Sequence, residues 1–196
     1  MFIQVIHGKT SKRDELRKLV ESWEEEGGVG AVGYLGGTYG VTEGGDFFAV
    51  VRFTSREEAM ANSARPETAA FAEKMAAVMD GPVQFHDCGD VTTFLDGGSD
   101  DAGFVQIITG HLDDPTRAKE MMADTGELRE MRPEIIGGTF AISDDQTYFQ
   151  TVYFTDEESA RKGEQKEPPE EIRAELESMM AGATFYDLKE PWFTSA

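Results

Sequence analysis

The sequence predicts an α+β protein made of two tandem ferredoxin-like units, each with the element order β-α-β-β-α-β. Two observations support this: one long segment occurs twice, and the same order of apolar strands and amphipathic helices recurs in both halves. A third is that the strands are apolar on both faces, whereas the helices of such a unit cover only one. We therefore expect the two antiparallel sheets to pack face to face as an intramolecular pseudo-dimeric α/β barrel.

The repeated segment is 25 residues long. Residues 35–59, LGGTYGVTEGGDFFAVVRFTSREEA, align without a gap with residues 136–160, IGGTFAISDDQTYFQTVYFTDEESA, and 9 of the 25 positions are identical. The match extends outward, because FIQVIHG at 2–8 is similar to FVQIITG at 104–110. A period of about 100 residues is longer than the roughly 20–50 residues of solenoid and propeller repeats, so it indicates a duplicated domain.

The domain boundaries follow from this duplication. We predict a first ferredoxin-like domain at residues 1–95, a linker at 96–103 and a second ferredoxin-like domain at 104–196. The linker sequence, DGGSDDAG, is small, polar and glycine-rich, as flexible connections are.

The first copy shows the clearest pattern of elements. FIQVIH is an apolar, β-branched strand, and the helix after it is predicted to begin at Ser11 as its N-cap. A hairpin with the turn EGGD follows, then a second helix with Ser55 as N-cap and an interruption at Pro66, and the strand PVQFHDCGDVTTFL closes the copy. The apolar stripe of the first helix consists of Leu16, Leu19, Val20 and Trp23.

The second copy keeps this order with different residues. Asp114 and Pro115 mark the start of its first helix, and Ala118, Met121 and Met122 form the matching stripe. The glycine pair of GGT stands at the entry to the second strand of each copy, where glycine permits an unusual dihedral angle or close packing.

The composition narrows the class of partner. The chain has 38 acidic and 18 basic residues, a formal net charge of −20, so we expect neither nucleic acid nor a membrane as a partner. The single cysteine, Cys88, cannot form an internal disulfide, and MFIQVIHG lacks the features of a signal peptide. We therefore expect a cytoplasmic protein with an acidic, solvated surface.

One glycine-rich motif does not indicate a nucleotide site. Residues 28–33, GVGAVG, match the G-x-G-x-x-G spacing, but a dinucleotide loop follows a strand and opens a helix. This segment follows a helix and leads into a strand, so we interpret it as a helix stop and loop.

The chain resembles the dimeric α/β-barrel superfamily, in particular the antibiotic biosynthesis monooxygenase-like (ABM) domains. The resemblance rests on element order and length, on hairpins that end in FFAVVRFTS or YFQTVYFTD, and on the acidic helix starts REEA and EESA. The family includes cofactor-free quinol oxygenases, haem-degrading oxygenases, stress-induced proteins and members without an assigned activity. The resemblance therefore implies a fold more narrowly than a function.

The haem-degrading branch is disfavoured by individual residues. Those enzymes resemble one another in an Asn on the first strand, and in a Trp and a haem-ligating His on the second helix. Here the first-strand position holds His7 in one copy and Thr109 in the other, and neither second helix contains Trp or His. Phe71 stands where the axial ligand is expected, so only His7 keeps haem binding open.

Two of the three histidines, His7 and His86, are the candidate catalytic groups. The first and last strands of a ferredoxin-like sheet are antiparallel neighbours, which predicts that His7 lies near His86, with Asp87 as a nearby acid. The alternative is that both are half-exposed structural histidines at a sheet end. The counterparts in the second copy are Thr109, His111 and Tyr186.

Aromatic side chains of the first copy are candidates for a ligand pocket. We predict that Trp23, Tyr39 and Phe71 line this pocket, with Tyr34 and Phe140 beside the glycine pairs. The alternative for each is a place in the core.

Two functional interpretations remain open. The first is a small-molecule pocket protein that oxidises an aromatic or quinol-like substrate without a bound cofactor or metal, with His7 or His86 as the base. The second is a non-catalytic ligand-binding or stress-related module. In both we expect a small apolar or aromatic molecule as ligand, and a monomer with an internal pseudo-dimer that is able to homodimerise further.

Overall fold

The computed structural model describes residues 1–23, 30–123, 128–168 and 170–195. The chain divides into two compact units: Met1–Asp90 with Pro191–Ala196, and Val91–Glu190. The predicted domain ranges follow the duplication, whereas this division follows the packing, and the two differ at residues 91–103 and 191–196.

Both units contain the predicted order of elements, so the α+β class and the repeated β-α-β-β-α-β unit are confirmed. In the first repeat the elements are β1 (Phe2–Lys9), α1 (Arg13–Glu21), β2 (Tyr34–Val41), β3 (Asp46–Phe53), α2 (Arg56–Ser63), α3 (Pro66–Ala77) and β4 (Gln84–Phe94). In the second they are β5 (Phe104–His111), α4 (Pro115–Ala123), α5 (Leu128–Met131), β6 (Ile135–Ser143), β7 (Thr147–Phe154), α6 (Glu157–Glu164), α7 (Glu170–Met180), β8 (Thr184–Leu188) and β9 (Trp192–Thr194). Within the described ranges, no helix is long and apolar enough to cross a membrane.

Each unit has an antiparallel sheet. In the first unit the strand order is β4-β1-β3-β2-β9, so the C-terminal strand β9 pairs with β2. In the second unit the order is β8-β5-β7-β6. The last residues of β4, from Val91 onward, belong to the second unit, where the Phe94 side chain packs against Gly138.

The helices pack on one face of each sheet, which we call the helix side. In the first unit this side carries Tyr39, Phe47 and Ala49, which pack against Leu16 and Val20 of α1. Because side chains alternate along a strand, the neighbouring residues Val5, His7, Phe48 and Val50 lie on the opposite face, which we call the far side. In the second unit the helix-side core contains Phe104, Ile108, Phe140, Tyr148, Val152 and Phe154.

The glycine pairs stand near the start of β2 and β6, as predicted, next to a register shift in each strand pair. Gly36 has φ +121°, which favours glycine. The second glycine of each pair makes room for an aromatic ring: a Cβ at Gly37 would overlap the Tyr39 ring, and one at Gly138 would overlap the Phe94 ring. Close packing therefore explains the second glycine.

The predicted N-cap at Ser55 is confirmed, and the one at Ser11 is wrong. The Ser55 hydroxyl accepts a hydrogen bond from the Glu58 backbone N–H at 3.2 Å. Helix α1 instead begins after Lys12 and has no side-chain cap. The Ser11 hydroxyl donates to the Asp80 carboxylate at 3.1 Å, so this serine holds the loop that precedes β4.

Candidate functional site

The strand register places His7 on the far side of the first sheet. It lies opposite Phe48 on β3 and opposite Gln84 on β4. The imidazole stacks on the Phe48 ring, with a centroid separation of 4.2 Å and an interplanar angle of 10°. This contact holds the ring plane, because Phe48 itself is fully buried.

A carboxylate lies beside the His7 ring. The Nε2 atom of His7 is 3.4 Å from Oδ1 of Asp46, the first residue of β3. The same carboxylate oxygen is 3.1 Å from the Lys9 ammonium, so a cation, an anion and an imidazole share one end of the sheet. The His7 and Asp46 side chains are 23% and 18% exposed, which leaves them accessible to a small molecule.

These residues line an open cleft with a volume of about 270 Å³. The backbone N–H of Asp80 donates to the Lys9 carbonyl at 2.8 Å, and this bond ties the loop before β4 to the end of β1 beside the cleft. A volume of this size fits a single aromatic ring with a few substituents, near the lower end of ligand sites. The lining consists of His7, Gly8, Lys9, Asp46, Asp80, Gly81, Pro82 and Gln84.

His86 is a neighbour of His7 but does not line this cleft. It lies opposite Val5, two residues along β1 from His7 and on the same face of the sheet. The acid predicted to join this pair, Asp87, lies on the helix side, where its Oδ1 accepts a hydrogen bond from Gln4 Nε2 at 2.9 Å. The acid beside His7 is Asp46 instead. The sequence pattern did not single out Asp46, although its position directly after the hairpin turn places it at the same end of the sheet as His7.

The predicted pocket residues Trp23 and Phe71 are in contact on the helix side. Their ring centroids are 4.6 Å apart in an edge-to-face arrangement, and Trp23 also lies edge-on to Tyr34 at 6.5 Å. Tyr39 joins this cluster through Tyr34, because the two phenol oxygens are 3.4 Å apart. The structure therefore places Trp23, Tyr39 and Phe71 on the helix side, where Tyr39 is linked to the other two only through Tyr34, and it places His7 and His86 on the other side of the sheet.

A third hydroxyl completes the polar part of this cluster. Thr194, from the C-terminal strand β9, hydrogen bonds to the Tyr34 hydroxyl, and its own hydroxyl donates to the Tyr39 oxygen at 3.3 Å. Burial raises the pKa of Tyr39 well above its usual value of about 10, and the nearby Tyr34 phenol adds to the effect. Tyr39 is therefore a neutral phenol at neutral pH.

Two indole groups beside these hydroxyls have no hydrogen-bond partner. The Nε1 atoms of Trp23 and Trp192 are buried, and the two residues are only 7% and 3% exposed. Trp192 lies directly opposite Tyr39 in the β2–β9 pairing. Buried donors are nearly always paired in native structures, so each of these two needs an acceptor that the described protein atoms do not supply.

The described residues of the second unit form neither arrangement. Thr109 stands at the position of His7, and Thr147 stands at that of Asp46. Its predicted counterparts lie on the far side at one end of β5: His111 opposite Thr147, Thr109 opposite Thr184, and Tyr186 opposite Ile107. At the positions of Tyr34, Tyr39 and Thr194 it has the apolar residues Ile135, Phe140 and Phe94. The sequence pattern does not reveal Trp192 and Thr194, because the last strand follows the second repeat but packs in the first unit.

In the part of the chain that the structure describes, no three His, Cys, Asp or Glu side chains are grouped so as to hold a metal ion.

Comparison with known proteins identifies the fold. No protein-family model and no curated protein matches the sequence. A candidate monooxygenase from Lactobacillus acidophilus is similar over 97% of this chain and 95% of its own, with TM-score 0.69 and 14% identity. A candidate monooxygenase from Fusobacterium nucleatum has TM-score 0.71 and 10% identity over 99% and 94%. An anthrone oxidase-like protein has TM-score 0.69 and 10% identity over 100% and 93%. The chain thus has the same fold as these three proteins along nearly its whole length.

Proposed function

We propose that this chain, which has the ABM-type fold, oxidises a small phenolic or quinol-like molecule with O₂ and without a bound cofactor. The observation that carries the proposal is the pair of His7 and Asp46 on an accessible cleft of about 270 Å³. Structural neighbours are named as monooxygenases and as an anthrone oxidase-like protein, which supports the reaction class for those proteins.

His7 acts as the general base in this proposal. Its imidazole accepts the phenolic proton of the substrate, and the Asp46 carboxylate stabilises the imidazolium that forms. The Lys9 ammonium, 3.1 Å from Asp46, favours the substrate anion at the same end of the sheet. The electron-rich anion then reacts with O₂, which is the oxidant: a quinol loses two electrons and two protons to become the quinone, and O₂ takes them up and leaves as H₂O₂.

Oxygen uptake tests this role. We expect the wild-type protein to consume O₂ with some members of a panel of quinols and anthrones, and His7→Gln to lower the rate by about 100-fold or more. Asp46→Asn keeps the shape of the cleft and should lower the rate less, because the imidazole remains. His111→Gln, at the end of β5 in the second unit, is the matched control. If no member of the panel causes O₂ consumption, the proposal is wrong.

His86 is the second candidate base. It shares the far side with His7 and lies diagonally from it across the β1–β4 pairing, without lining the cleft. A His86→Gln variant that retains the wild-type rate assigns the chemistry to His7 alone. Equal losses in both variants would instead indicate a proton relay between the two imidazoles.

The second candidate function is non-catalytic ligand binding on the helix side of the first unit. It is favoured by the unpartnered indole N–H groups of Trp23 and Trp192 beside the hydroxyls of Tyr34, Tyr39 and Thr194. A planar aromatic molecule with a carbonyl oxygen would accept from these donors and stack within the cluster.

Tryptophan fluorescence distinguishes this site from the cleft, because both tryptophans of the chain belong to the cluster. An anthrone or anthraquinone bound on the helix side should quench the emission, and Tyr39→Phe, which copies Phe140 of the second unit, should weaken the binding. Binding that depends on His7 and not on Tyr39 would contradict the helix-side site.

Haem binding is the least supported alternative. The Nε2 atom of His7 contacts Asp46, so this nitrogen would have to leave a carboxylate in order to bind iron. A hemin titration should therefore leave the Soret band unchanged. A sharp shift that disappears in His7→Ala would establish haem binding instead.

A further inference from the structure

Two threonine hydroxyls are buried without hydrogen-bond partners on the far side of the second sheet. Thr139 on β6 and Thr151 on β7 are directly opposite each other in the antiparallel pairing. They are 1% and 0% exposed, and neither Oγ1 atom has a hydrogen-bond partner. This pair lies in the second unit, whereas the cleft beside His7 and the cluster of Trp23, Tyr34 and Tyr39 belong to the first unit.

The neighbours of the pair are buried side chains. Thr151 lies opposite Ile107 of β5, which is fully buried, and its same-face neighbours along β7 are Phe149 and Tyr153, which are buried as well. Burying a hydroxyl in such surroundings is unfavourable in free energy unless a partner replaces the hydrogen bonds to water that it has lost. Two such hydroxyls at one place point to a partner that both share.

At the corresponding positions of the first unit, no hydroxyl is left without a hydrogen-bond partner. Thr38 corresponds to Thr139 and has a hydrogen-bond partner, the Arg52 guanidinium, at 3.4 Å. Val50 corresponds to Thr151 and has the same shape without a hydroxyl. The fold thus accepts a valine at this position, and the hydroxyl of Thr151 is not needed to fill space.

We propose that Thr139 and Thr151 form a buried hydration site, in which one internal water molecule bridges the two hydroxyls between β6 and β7. Side chains that face each other across antiparallel strands have Cβ atoms about 4.5–5.5 Å apart, so two hydroxyls that point the same way are both within hydrogen-bond reach of one oxygen placed between them. Water both donates and accepts, so it satisfies two hydroxyls at once.

Replacement of the hydroxyls by methyl groups tests the site. Thr151→Val copies Val50 and should lower Tm by about 2–4 °C, because the water and Thr139 each lose a partner. Thr139→Val should have a similar effect. The double variant should be little worse than either single one, since the bridge is already broken after the first change. Thr109→Val, on the same face at the end of β5, is the control for a general effect of the substitution.

The opposite results overturn the proposal. Without a shared water, each substitution removes an unpartnered buried hydroxyl, so Tm should stay the same or rise. A fall in Tm that is additive in the double variant would show two independent hydroxyls. A crystal structure at about 1.5 Å resolution should show a water oxygen within hydrogen-bond distance of both Oγ1 atoms. Clear density without that water would likewise contradict the site.

Discussion

At the scale of single residues, one buried phenol affects how the stability of the first unit depends on pH. Tyr39 has a pKa well above 10 because burial disfavours its phenolate. Below about pH 10 the phenol is protonated in the folded and the unfolded chain, so the full stability is present. Above that pH the unfolded chain releases its proton first, and the folded state loses stability until its own pKa is reached.

We therefore expect Tyr39→Phe to weaken the alkaline loss of stability. Urea unfolding at a series of pH values from about 8 to 11 measures it. The variant, which copies Phe140, should have a flatter profile above about pH 10, even if it is less stable than the wild type at neutral pH. Identical slopes in the two proteins would contradict the role of this phenol.

Glycine substitutions test the packing of the second sheet. A Cβ at Gly138 would overlap the ring of Phe94, so Gly138→Ala should reduce the free energy of unfolding by about 1–3 kcal/mol. Gly89 is the matched control, because a Cβ there meets no atom within 4 Å. Chemical denaturation of both variants should separate them clearly, and equal stability would mean that the Phe94 ring moves aside at no cost.

At the scale of elements, the helix starts show what the local sequence pattern could and could not predict. Ser55 was predicted as an N-cap and is one, since Glu58 follows at the right spacing and its N–H reaches the hydroxyl. Ser11 has a similar local pattern, but its hydroxyl bonds to Asp80, a residue far along the chain. The contact with Asp80 therefore explains why Ser11 is not an N-cap, although its local sequence resembles that of Ser55.

This difference predicts unequal effects of two serine substitutions. Ser55→Ala removes the cap of α2 and should cost about 0.5–2 kcal/mol of folding free energy. Ser11→Ala removes only a hydrogen bond between exposed groups and should change the stability by less. Thermal unfolding of the two variants under the same conditions measures both, and a larger loss at Ser11 would contradict this assignment.

The same limit applies to the candidate site. The β-α-β-β-α-β order predicts that His7 and His86 lie on neighbouring strands, because the first and last strands of a ferredoxin-like sheet are adjacent. It did not predict that Trp23 and Tyr39 lie on the opposite side of the sheet from His7, since that depends on which residue of each strand faces the helices. Trp192 and Thr194 were out of reach, because the last strand packs with the first unit.

At the scale of the whole molecule, the net charge of −20 is the dominant electrostatic feature. Repulsion among the acidic side chains disfavours the compact state, and salt screens that repulsion over about 8–10 Å. We therefore expect Tm to rise as KCl increases from about 0.05 to 1 M. Differential scanning calorimetry measures this, and a Tm that falls over that range would contradict a net repulsive surface.

The main difference between the two units, which share a fold, is that among the described residues only the first carries the His7–Asp46 cleft and the hydroxyls of Tyr34, Tyr39 and Thr194 near two buried indoles. Imidazole NMR signals test it directly, because the chain has three histidines, His7 and His86 in the first unit and His111 in the second. During titration with a quinol, the account predicts a saturable shift of the His7 signal with little change at His111. A shift confined to His111, or none at any histidine, would contradict it.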